Sequence, residues 1–85
     1  MSALAALPNV GKVLENNLIQ IGVETPEQLR AIGAQEAFMR IRTQVDQGAC
    51  LHMLYGIQAA IDNVPKKLLP LEIKDELKVF YNTLR

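Results

Sequence analysis

The sequence predicts an all-α protein: one compact domain of about five short helices spanning residues 1–85. Apolar residues recur at helical spacing in five separate segments, and no stretch sustains the apolar–polar alternation of a strand. Gly22, Pro26, Gly33, Gly48, Pro65 and Pro70 punctuate the joints between those segments.

Residues 1–6 form a short lead-in with room for one turn at Ser2–Ala6. The first helix is expected over Gly11–Ile21, where Val10, Val13, Leu14, Leu18 and Ile21 make one stripe and Lys12, Glu15, Asn16 and Gln20 lie outside it. Gly22 ends it, because a residue without Cβ takes the left-handed conformation at no steric cost. Thr25-Pro26-Glu27-Gln28 then forms a capping box with proline at the first helical position: Thr25 can accept from the Gln28 N–H while the Gln28 side chain reaches back. The second helix is short, Pro26–Ile32, burying Leu29 and Ile32 before Gly33 stops it. A third, Gln35–Asp46, buries Ala37, Phe38, Ile41 and Val45 and ends near Gly48.

The fourth helix, Cys50–Asp62, is interrupted only by His52, Gln58 and Asp62. A helix apolar nearly all round is surrounded by others, so this one is the expected centre of the fold. Asn63–Leu69 is a loop carrying Pro65, Lys66 and Lys67. The fifth helix, Pro70–Leu84, turns Ile73, Leu77, Phe80 and Leu84 inward and Lys74, Asp75, Lys78 and Asn82 outward.

Nine basic and nine acidic residues give zero net charge. The balance holds locally too: residues 1–48 carry four basic and five acidic groups, and residues 49–85 carry five basic and four acidic. Neither half generates a field that would draw the protein onto DNA or an anionic membrane, so any nucleic-acid binding must be local and weak. Cys50 is the only cysteine, which excludes an internal disulfide. The start Met-Ser-Ala-Leu-Ala-Ala lacks the cationic, then apolar, pattern of a secretion signal. No apolar run approaches the ~20 residues that cross a bilayer. The expected setting is the cytoplasm, without a membrane.

The run Leu7-Pro8-Asn9-Val10-Gly11-Lys12 has the form of a tight hairpin opening a helix. Successive N–H groups at such a turn, with the helix dipole behind them, can cradle a phosphate. Asn9 tolerates a left-handed backbone, Gly11 allows close approach, and Lys12 adds a charge. Asn9, Val10, Gly11 and Lys12 are therefore the candidate phosphate or DNA contacts, with Val13 as a further N–H donor. The plainer alternative is a corner that caps the helix and packs Leu7 and Val10.

Six further basic groups, Arg40, Arg42, Lys66, Lys67, Lys74 and Lys78, are interspersed with Glu36, Asp46, Asp75 and Glu76 and form a mixed-sign solvated surface. Cys50 and His52 are two residues apart and face different sides of a helix, which assembles neither a nucleophile with its base nor a metal site. Cys50 is expected to be a buried structural residue. The carboxylates are scattered, and Met39, Met53, Tyr55 and Tyr81 fit core or core-edge positions. The expectation is a protein that is not an enzyme, with no catalytic residue, cofactor, metal or small-molecule substrate.

Several of these stretches resemble the C-terminal domain of the TfoX/Sxy family, bacterial proteins associated with competence and DNA transformation. They are Leu7-Pro8-Asn9-Val10-Gly11, Ile21-Gly22-Val23-Glu24-Thr25-Pro26-Glu27-Gln28-Leu29, Ile32-Gly33-Ala34 before Ala37-Phe38, and Leu54-Tyr55 with Ala59-Ala60. The resemblance runs from about Leu7 to Leu84 and implies a SAM-like, helix-hairpin-helix-like fold. It also implies a regulatory module acting in competence through protein contacts, with a protein partner or self-association. The hairpin looks like the helix-hairpin-helix unit of DNA-handling proteins, which usually has Gly-hydrophobic-Gly after a full helix; this chain has Asn9-Val10-Gly11 after Ser2–Ala6. Weak, sequence-independent DNA binding through Pro8–Lys12 is the alternative it implies. Larger family members carry another domain before this one, so the chain corresponds to a free-standing version or an excised piece.

Overall fold

The computed structural model describes residues 3–84, leaving Met1, Ser2 and Arg85 outside. Among the described residues there are four α-helices, two 3-10 turns and no strand. The order is a turn at Ala3–Ala6, α1 (Lys12–Gln20), α2 (Pro26–Gln44), α3 (Leu51–Asp62), a turn at Lys66–Leu68, and α4 (Leu71–Asn82). The lead-in turn expected at Ser2–Ala6 is seen for Ala3–Ala6; its first residue lies outside the described residues.

The described residues hold four continuous helical elements where five helices are expected, because two of the expected helices abut at Gly33. The helices expected over Pro26–Ile32 and Gln35–Asp46 follow one another within α2 with no loop between them, joined at Gly33, whose φ of 80° and ψ of 164° are not helical, and the second ends at Gln44. That conformation is open to glycine and strained for other residues. The kink lets both arms turn inward: Leu29 on the first, and Ala37, Phe38 and Ile41 on the second, are fully buried.

The cap of α2 forms as its residues dictate. Thr25 Oγ1 accepts from the Gln28 N–H at 3.1 Å, and Gln28 Oε1 accepts in return from the Glu24 N–H at 2.6 Å, one residue further back than the capping residue itself. Thr25→Ala should lower stability by about 1 kcal/mol, read as a lower midpoint of urea unfolding.

α3 is central, packing against α2, α4 and the second turn. Leu54, Ile57, Ala59 and Ala60 are fully enclosed within it, and Gly56 is buried beside them. Phe38 of α2 meets Tyr81 of α4 with ring centroids 5.9 Å apart, closing the core on the far side.

Two local expectations are corrected. Val13 is 72% exposed rather than part of the inward stripe. Consecutive helical residues point about 100° apart, and the buried face of α1 centres on Leu14 and Leu18, which leaves Val13 at the edge of that face in the exposed first turn. Cys50, expected to be buried, is exposed because it is the capping residue before α3 rather than part of its packed length.

Candidate functional site

The corner before α1 is built by short-range backbone bonds. Leu7 N–H donates to Leu4 O at 3.0 Å, and Val10 N–H donates to Leu7 O at 3.4 Å. Val10 is buried by this turn, whereas Gly11, Lys12 and Val13 are exposed. Gly11 caps α1 with an extended backbone and has no side chain to bond the first-turn N–H groups. These groups carry the positive end of the helix dipole.

Asn9 adopts φ 67°, a left-handed conformation that its type tolerates. Its side chain reaches across the molecule. Nδ2 donates to Val64 O at 3.1 Å, and Oδ1 accepts from the Lys66 N–H at 3.1 Å. The segment it grips is shaped by Asn63, which ends α3 at φ 59°. The amide thus clasps the start of α1 to the loop between α3 and α4, over the buried Gly56.

The clasp gathers a cleft of about 390 Å³ whose walls include Gly11, Lys12, His52, Met53 and Lys66. Lys12 comes from α1, His52 from α3 and Lys66 from the second turn, and no carboxylate lines the cleft. Two ammonium groups and an imidazole beside an uncapped helix start favour a small anionic group over a cation. Of the sequence candidates, Asn9, Gly11 and Lys12 line this cleft, and Val10 lies beneath it in the core. The contributions of His52 and Lys66 were not legible in the sequence. Approach across 40 or more positions of chain leaves no local signal; the unexplained Asn9, held left-handed, was the nearest hint.

Asn9→Ala should cost about 2 kcal/mol, by losing both clasp bonds and the short polar side chain that lets asparagine tolerate the left-handed region better than alanine does. Asn9→Gly, which keeps the dihedral and loses only the bonds, should cost less. Thermal unfolding of the two variants side by side separates backbone strain from hydrogen bonding.

Elsewhere the surface is mixed, as its composition requires. Glu36 and Arg40 form an ion pair at 2.8 Å on α2, and Lys74 Nζ sits 6.0 Å from the Tyr55 ring centroid. Among the described residues no group of three or more His, Cys, Asp and Glu could hold a metal ion. No helix among the described residues is long and apolar enough to cross a membrane.

A family model described as the TfoX C-terminal domain matches residues 1–81. A search of curated proteins finds no match. Two crystal structures of Listeria monocytogenes proteins are similar over nearly their whole length. One, an uncharacterized protein in a triclinic form, has 41% identity and a TM-score of 0.92, covering 95% of this chain and 91% of its own. The other, a protein of unknown function in a tetragonal form, has 40% identity and a TM-score of 0.92, covering 96% of this chain and 99% of its own.

Proposed function

Because the chain belongs to the TfoX C-terminal domain family, we propose that it is a non-enzymatic regulatory module of competence, one domain over residues 1–85, acting in the cytoplasm through contacts with a protein partner or a second copy. The observation that supports this most is apolar surface on the last third of the chain. Leu68 in the second turn is 63% exposed, and Leu71 and Val79 on α4 are 72% and 66% exposed. Covering a leucine or valine of this kind gains about 1.5–3 kcal/mol per side chain, which offsets part of the entropic cost of association. A net charge of zero raises no long-range barrier to a partner of either sign.

Light scattering on a sizing column, with affinity capture by wild type and by a Leu71→Lys/Val79→Lys double variant, tests the reading. Association or a captured protein that the double variant loses is the expected result. A strict monomer whose captured set does not change between the two would overturn it.

The basic cleft favours a second reading. Lys12, His52 and Lys66 around the exposed Gly11 suit weak, sequence-independent contact with a DNA phosphate at a helix-hairpin-helix-like corner. Titration of a short duplex at two salt concentrations decides it: Lys12→Ala should weaken binding equally on unrelated sequences and lower the salt slope by about one. Absence of binding at low salt removes this reading.

A further inference from the structure

We infer that the cleft between the start of α1 and the middle of α3 takes the terminal carboxylate of a partner polypeptide whose last residues are aliphatic. The inference rests on the reading of the chain as a partner-binding module and gives that module a second contact, apart from the exposed face of α4.

Gly56 is the sixth of the 12 residues of α3. Inside a helix, glycine gives up more backbone entropy than alanine and weakens the element, so its presence calls for a reason. Its backbone supplies none, since positive φ among the glycines is confined to Gly22 and Gly33. Crowding supplies none either. Beyond its own stretch of helix, a Cβ at Gly56 would come no nearer than 4.0 Å to another atom, the Cβ of Asn9, which is ordinary contact. Asn9 and Gly56 both line the cleft, so the missing side chain is space on the cleft's floor. The fold leaves that space unused; a bound group fills it.

The walls define what that group carries. Lys12, His52 and Lys66 bring two ammonium groups and an imidazole from three separate elements, with no carboxylate beside them. Such donors make their strong, charge-assisted bonds to an anion. Most of the remaining wall is apolar, from Leu14, Met53 and the 72% exposed Val13. An apolar wall with a few polar donors fits a ligand that has an aliphatic body and one charged end.

Charge and apolar surface also lie side by side: Val13 follows Lys12, and Met53 follows His52. The last residue of a polypeptide has the same arrangement, its carboxylate and its side chain branching from one Cα. A nucleotide finds less here, because the Asn9 amide already spends both ends on Val64 and Lys66.

The test is an NMR titration of the isotopically labelled protein. The probes are acetyl-Ala-Leu-Val as the free acid, the same peptide as its terminal amide, acetyl-leucine, inorganic phosphate and a short DNA duplex. Saturable shifts at the Gly11, Val13 and Gly56 amides are expected with the acid, and binding at least about tenfold weaker with the amide. A Lys12→Gln/Lys66→Gln double variant, still folded, should lose at least about tenfold in affinity for the acid. Gly56→Ala should melt at the wild-type temperature or up to about 5 °C above it, yet bind the acid at least about threefold more weakly.

A Gly56→Ala protein that melts below wild type would hand the glycine back to the fold and overturn the inference. Equal response to acid and amide, or phosphate or acetyl-leucine binding as tightly as the peptide, would do the same. Cleft shifts with the duplex alone would overturn it in favour of the DNA reading. If the acid peptide fails while wild type still associates through α4, the carboxylate site is wrong and the module reading stands.

Discussion

Truncating Leu54 to alanine is expected to remove about 2–5 kcal/mol of stability, the largest effect of any change considered for this chain. Leu54 is fully buried at the middle of α3, the helix that packs against both α2 and α4. The lost methyl groups take their transfer energy with them, and helices held on two sides cannot collapse into the gap. A folded domain has only about 5–15 kcal/mol in total, and one of this size lies toward the low end. Urea unfolding should show the midpoint falling with an unchanged slope, since the surface exposed on unfolding is nearly the same. Leu71→Ala is the matching control: at 72% exposure it should change stability by no more than about 0.5 kcal/mol. A Leu54→Ala midpoint equal to wild type would mean that α3 is not the centre of the core.

Gly33→Ala is expected to cost about 1–3 kcal/mol, even though alanine is the better helix former. No atom lies within 4 Å of the Cβ that alanine would add, so crowding contributes nothing. The whole cost comes from the backbone, held at φ 80° where an L-residue is strained. Relaxing that strain by straightening the kink would swing Leu29 and Phe38 out of register with the shared core. Gly11→Ala provides the contrast, since its added Cβ also meets nothing and its φ of −87° suits any residue. Thermal melts of the two variants should therefore differ sharply. A Gly33→Ala protein as stable as wild type would show that α2 does not need its bend.

The helical architecture was legible because its signals are local. Thr25, Pro26 and Gln28 announce the start of α2 through their own bonding capacity, and Gly22 ends α1 at φ 90° as its lack of Cβ allows. The break at Gly33 was legible as a position but not as a kind of joint, since glycine serves a stop and a kink equally well. Val13 was misplaced because apolar character alone does not say where along a nine-residue helix packing begins: its own row is covered at Asn17 but open in the first turn. Cys50 was misread because composition favours burial for cysteine, whereas a capping position sets exposure by geometry.

The site was legible only in part, for the same reason. Asn9 and Lys12 stand in one short run, and the left-handed Asn9 follows from its type. Lys66 and His52 are brought in by the tertiary fold, and no spacing in the chain marks them.

The grip of Asn9 on Val64 and Lys66 spans 55 and 57 positions of chain. A nascent polypeptide emerging from the ribosome holds the first half of that latch long before the second half exists. Until then the Asn9 amide is satisfied by water. This latch therefore closes only once Lys66 has been made, and a chain stalled short of Val64 would lack both bonds to Asn9.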